Sequence, residues 1–267
     1  MNLLTLDEIK QAELQLLLCF DDYCRKHQIR YFLSNGTLLG AVKYKGFIPW
    51  DDDVDVLVPR EDYDRLMEFF TDHDNIRLVS FERDPRYLYP FAKLCDMSII
   101  KDETGLDNGI QLGLSLDVFP LDTWDPDRTK AEREARRIRN IMKGLGLAKL
   151  KKPNASTALK RTVQGMLIIV SKLRSPRHYL NRISRMSCRE DQKGSPYLGC
   201  KCWCIYGSRE IIPAEVFSDT VEVEFEGMMF PAPVGYDTYL RSLYGAYPQD
   251  PPADKQKTHH SFRAYRP

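Results

Sequence analysis

Between Asp51 and Val58 the chain reads Asp-Asp-Asp-Val-Asp-Val-Leu-Val, and this run limits the fold more than any other stretch. On a strand, side chains two apart share a face, so Asp53 and Asp55 point one way and the valines the other. Two carboxylates about 5 Å apart repel by roughly 3 kcal/mol at an effective dielectric of about 20. Such a face needs a cation, and a divalent metal that also holds phosphate oxygens is the most economical candidate. The strand period groups Asp51, Asp53 and Asp55 and turns Asp52 toward the loop.

Upstream, Ile29 to Leu33 reads as a first strand that breaks at Ser34-Asn35-Gly36-Thr37. Thr37 to Val42 then forms one or two helical turns whose N-terminal amides are free to bind an anion. Lys45 and Trp50 lie in the loop that follows. Downstream, Asp117 stands among Leu114, Leu116, Val118 and Phe119, where a carboxylate needs a partner or a metal. Lys93, an isolated lysine in FAKLCD, reads equally as a solvated strand residue or as one that reaches into a phosphate site. Judged alone, Gly36 is equally a turn glycine and Asp117 a salt-bridged aspartate at a strand end. Together they predict an α+β fold of nucleotidyltransferase type, a mixed sheet flanked by helices. A two-ion site for Mg2+ or Mn2+ would sit between Asp53, Asp55 and Asp117, with Gly36 and Thr37 holding phosphate oxygens.

A chain of 267 residues can bury a sizeable core as one domain, 1–267, with residues 125–195 as a helical insertion. Leu6 to His27 is an amphipathic helix packing by Leu16, Leu17 and Phe20. Charge is uneven: residues 128 to 193 hold 19 Lys/Arg and 4 Asp/Glu, against 20 and 34 elsewhere. Three helices are expected there, over Asp125 to Lys152, after a Ser156 cap, and over His178 to Cys188. Met166, Leu167, Ile168, Ile169 and Val170 are expected to be the second helix's core. The insertion reads either as a solvated bundle or as a contact for an anionic membrane surface or acidic polymer. Without aromatic interleaving, no nucleic-acid binding is expected.

The N-terminus lacks a basic segment and cleavage site, and the seven cysteines are an odd number, so free thiols in a reducing cytoplasm are expected. Cys200, Cys202 and Cys204 alternate, which predicts one strand face of buried thiols and not a zinc site. The apolar run Gly165 to Val170 is far short of the ~20 residues that span a bilayer.

The segment GTLLGAVKYKGFIPWDDDVDV from Gly36, the helix start Arg60 to Tyr63, LDVFPLD from Leu116 and the ending PVGYDTYLRSLYGAYPQDPPADKQKTHH from Pro233 resemble the LicD family of phosphocholine transferases, which is related to the fukutin group. The resemblance covers both ends of the chain and passes over residues 125 to 205. It implies transfer of phosphocholine, or a related alcohol phosphate, from CDP-choline or another CDP-alcohol. The acceptor would be a sugar hydroxyl of a lipid-linked cell-surface glycan, such as a teichoic-acid-like precursor, and CMP would be released. By position, Asp53 and Asp55 would bind Mg2+, Asp117 would complete the site and accept the hydroxyl proton, and Gly36 and Thr37 would contact the diphosphate. Trp50, Lys93, His259 and His260, with Lys45 of the same loop, would serve donor or acceptor binding. Choline would need an aromatic cage, for which Trp50 and Trp124 are candidates. Two other readings stand beside this one: transfer of a nucleoside monophosphate, and a non-catalytic glycan- or membrane-binding module, which the intact carboxylates oppose.

Overall fold

The computed structural model describes residues 2–103, 105–189, 192–247, 250, 252, 256 and 262–266. In chain order the elements are β1 (Asn2–Leu3), α1 (Leu6–His27), β2 (Phe32–Leu33), α2 (Asn35–Tyr44), β3 (Asp55–Pro59), α3 (Arg60–Phe69), β4 (Ile76–Val79), β5 (Ala92–Glu103) and β6 (Leu112–Thr123). Three helices follow, α4 (Arg128–Lys149), α5 (Ala158–Lys172) and α6 (Pro176–Ser187). The chain then adds β7 (Tyr197–Gly199), β8 (Ile212–Pro213), β9 (Thr220–Phe225), β10 (Met228–Pro233), α7 (Tyr236–Tyr244) and β11 (Phe262–Arg266). The fold is α+β, as expected.

The main sheet runs β1-β11-β5-β6-β3-β2, with β4 added to β5 and β7-β8 added to β6. It is mixed: β3 and β6 are parallel, whereas β5 is antiparallel to β6. That arrangement fixes the central register. Asp55 lies opposite Asp117 across one pair, and Lys93 lies opposite Asp117 across the other. Around it, Val56, Leu57, Val58, Leu116 and Val118 are almost fully buried. Helix α1 starts in a capping box between Thr5 and Glu8 and packs Leu16, Leu17 and Phe20 into the core.

Several boundaries differ from the sequence reading, each for a physical reason. The ladder of the acidic strand begins at Asp55: β2 ends at Leu33, opposite Val56, so residues 51–54 run past it, although the Val54 carbonyl still accepts the Asp117 N–H of β6 at 2.9 Å. Burial still alternates through this segment, with Asp52 and Val54 buried and Asp51, Asp53 and Asp55 half-buried. Helix α2 is longer than predicted at both ends. Thr157, not Ser156, caps α5, its hydroxyl accepting the Lys160 N–H at 3.4 Å. Of the five residues expected to form the α5 core, only Ile168 is buried. Residues 200–204 form turns in place of a strand. Cys200 and Cys202, with sulfurs 4.0 Å apart, join the main core, while Cys204 packs with Trp124 and Ile138. The short strand β11, which the sequence did not reveal, inserts between β1 and β5.

Candidate active site

The carboxylates converge where β3 begins. Oxygens of Asp51, Asp52 and Asp53 lie within 4.8 Å of one another. Asp55 follows on the strand, facing Asp117 across the parallel pair. Burial, and then the charges of Asp53, Asp117 and Asp51, push the Asp55 carboxyl well above its ordinary pKa, while the Asn35 side chain opposes this by hydrogen bonding. A cation bound beside Asp55 would lower the cost of ionising it. Glu13 of α1 is fully buried behind this region, without a hydrogen-bond partner among the described residues, and burial pushes its pKa well up.

Local hydrogen bonds set the geometry. Thr37 is buried, and its hydroxyl accepts the Asp55 N–H at 2.8 Å, which ties the first turn of α2 to β3. Asn35 sits at φ 46° and accepts at Oδ1 from the Tyr239 hydroxyl, 3.1 Å away on α7. Gly36 leaves room for Asp51: a Cβ there would lie 2.7 Å from Asp51 Oδ2. Gly36→Ala is thus expected to displace Asp51 and slow turnover about tenfold or more. Melting temperature should barely change, since alanine suits a helix; a full rate would show that the contact is unimportant.

These groups open onto a cavity of about 1240 Å³. Asn35, Gly36, Trp50, Asp51, Asp53, Asp55, Lys93 and Asp117 all line it. Lys93 ion-pairs with Asp117, and although burial opposes it, Asp117 and Glu103 keep the ammonium above its ordinary pKa. Two predicted residues fall elsewhere. Thr37 turns its side chain to the backbone of β3 and does not line the cavity. Lys45 is exposed at the C-cap of the lengthened α2, at φ 61°, where its carbonyl accepts the Glu226 N–H at 2.8 Å. His259 and His260 lie outside the described residues. Trp124 cannot form a cage, because it is fully buried and its indole N–H donates to the Glu210 carbonyl at 3.0 Å.

The far wall holds residues that sequence reasoning missed. Trp203 packs edge-on to Phe91 at 5.1 Å between ring centres, and Tyr206 and Tyr244 stand edge to face at 5.4 Å. Helix α4 contributes Met142, Leu145, Gly146 and Lys149, one helical face. Lys149 is 5% exposed, with Nζ 3.1 Å from the centre of the Tyr89 ring, and burial draws its pKa down to about 7. Its presence on an otherwise apolar stripe was the available signal.

A family model described as LicD/FKTN/FKRP, nucleotidyltransferase domain, matches residues 28–112. Over its whole length, the chain is 31% identical to the lipopolysaccharide cholinephosphotransferase LicD of Haemophilus influenzae, with 99% of each chain aligned. The chain belongs to the LicD family. The phosphotransferase class expected from the sequence stands with that membership. Shorter similarities reach an uncharacterized protein of Rickettsia prowazekii, 37% identical over 26% of each chain, and one of Rickettsia typhi, 44% identical over 18% of this chain and 16% of the other. The LicD family model ends at residue 112, before Asp117, Lys149 and Trp203, so much of the cavity wall lies outside the segment it matches.

Proposed function

We propose that this LicD-family chain transfers phosphocholine, or a closely related alcohol phosphate, from a CDP-activated donor to a sugar hydroxyl of a lipid-linked surface glycan. Lipopolysaccharide is the first candidate for that glycan and a teichoic-acid-like polymer the second. The observation that carries this reading is the end-to-end similarity to a protein named as a lipopolysaccharide cholinephosphotransferase. In the reaction the acceptor oxygen bonds to the phosphorus that bears choline, the bond from that phosphorus to the bridging oxygen breaks, and CMP leaves.

The clustered Asp51, Asp53, Asp55 and Asp117 fit a hard divalent cation, because their mutual repulsion already favours positive charge among them. Bound there, Mg2+ or Mn2+ would neutralise phosphate charge and acidify the acceptor hydroxyl. Asn35 orients Asp55, Lys93 balances Asp117, and the hydroxyl proton passes to a carboxylate of this group. Lys149 faces the same cavity with no carboxylate at ion-pair distance among the described residues, which suits it to a phosphate oxygen. Tyr89 and Phe91 already lie under the Lys93 ammonium, whereas no cation lies over Trp203 among the described residues. Trp203, like Trp50, Tyr206 and Tyr244 on the same cavity, therefore offers an aromatic face to a quaternary ammonium.

All seven cysteines are free thiols, which fits a reducing compartment and work at the cytoplasmic face of a membrane. Donor labelled separately in its choline and cytidine halves, with Mg2+ and a glycolipid acceptor, tests the reaction. Choline label on the acceptor and CMP in solution are expected. The nucleotidyltransferase description of the matched segment favours the competing reading, which requires the nucleoside half, from this donor or from a labelled nucleoside triphosphate, to appear on the acceptor.

A further inference from the structure

Helix α5 is buried on only one narrow line, at Ile168 and Ser171. Leu159, Met166, Ile169, Val170 and Leu173 are between 60% and 80% exposed. Scattered exposed apolar side chains are ordinary, but a group this dense on one helix marks a contact surface. The electrostatic setting says what it contacts. Residues 135–189 contain fifteen Lys/Arg and no Asp/Glu. Lys160, Arg161, Lys172 and Arg174 are exposed around the apolar residues. A second copy of this face would bring like charges together, whereas an anionic lipid surface attracts each nearby Lys or Arg. At 15 residues the helix is about 22 Å long, and among the described residues no helix is long and apolar enough to cross a membrane.

The helix is also fastened to the mouth of the cavity. Gln164 accepts the N–H groups of Asn154 and Ala155 at 2.8 and 2.9 Å, and its amide donates to Asn154 Oδ1 at 2.8 Å. Asn154 and Lys152 line the cavity. Whatever orients α5 therefore orients the cavity rim.

We infer that α5 docks in the plane of an anionic bilayer, with its exposed apolar residues at the acyl boundary and its lysines and arginines among the headgroups. The rim at Lys152 and Asn154 then opens at headgroup level, where the sugar hydroxyl of a lipid-linked acceptor lies. The docking extends the proposed transfer reaction by supplying its route to a membrane-bound acceptor, and it is independent of the group transferred.

The test is flotation of the full chain with vesicles of three parts phosphatidylethanolamine to one part phosphatidylglycerol. Wild type is expected to float at low salt and to be released as salt rises. The variant L159Q/M166Q/I169Q/V170Q and the charge variant K160E/R161E should each partition at least about tenfold less. Their circular dichroism and their turnover of CDP-choline with a water-soluble acceptor should be unchanged. Absence of wild-type flotation at low salt overturns the inference, as does flotation of the glutamine variant at wild-type levels. So does a wild-type dimer by light scattering that the glutamine variant loses while neither floats. Flotation without any turnover of CDP-choline would instead remove the transfer reading and leave the docking intact.

Discussion

Asp55→Asn is expected to eliminate transfer, by about a thousandfold or more, while the purified variant keeps its secondary structure. Removing one charged ligand from a catalytic metal site forfeits several kcal/mol of transition-state stabilisation. The fold should tolerate the change because the Asp55 side chain faces the cavity and its backbone N–H keeps the bond to Thr37. Metal-free protein should gain stability: burial, Asp53, Asp117 and Asp51 all raise the Asp55 pKa, and an amide answers none of those charges. A melt with and without Mg2+ reads both effects. Wild type should be stabilised by the ion, and the variant should melt higher without ion and respond less to it. A variant with near-wild-type turnover would remove Asp55 from the reaction.

Lys149→Met is expected to raise the donor KM by about tenfold to a hundredfold, the range for a lost charge-assisted contact to phosphate. The signature that separates this from a packing defect is pH dependence. Burial disfavours the ammonium form of Lys149 and draws its pKa down to about 7. Only the charged form attracts phosphate, so kcat/KM should fall as pH rises through that value, and methionine should flatten this limb. Phosphate binding restores the ammonium form, so binding above pH 7 takes up a proton. Calorimetry in buffers of differing ionisation enthalpy measures that uptake, and its persistence in the variant would assign it elsewhere.

Stability runs the other way. The folded pKa lies below the unfolded one, so the cost of the buried charge is fully present below about pH 7 and is relieved as pH rises toward 10.5. Methionine should therefore stabilise the protein most in acid. The two variants together divide the cavity into a carboxylate end and a cationic end.

What could be read before folding follows from how far each signal travels. Asp53, Asp55 and Asp117 announce themselves because charge on an apolar strand is locally anomalous; Gly36 was legible as a break after the first strand, although it lies in the first turn of α2 and its constraint is the close approach of Asp51. Lys93 is legible for the same reason as Asp117, and the register joins the two. Asn35 is harder: its importance rests on Tyr239, 204 residues away, which no local pattern encodes. Trp203 stood inside a cysteine alternation that suggested only a strand. Lys149 was one basic residue among many, although it falls on the stripe of Met142 and Leu145. In α5 the error came from treating a continuous apolar run as buried, which is the usual outcome for a helix apolar on several sides. Too few neighbours pack against that helix to cover it.

The carboxylates sit on β3 and β6 or in the residues leading into β3, in the first half of the chain, whereas Lys149, Trp203, Tyr206 and Tyr244 come from later segments. On the proposed reading, the groups that handle phosphate and those that would meet headgroup and acceptor come from different stretches of one chain. Substitutions in α4, in the turns after Cys200 or in α7 can then re-shape the substrate wall while leaving the carboxylates of β3 and β6 in place.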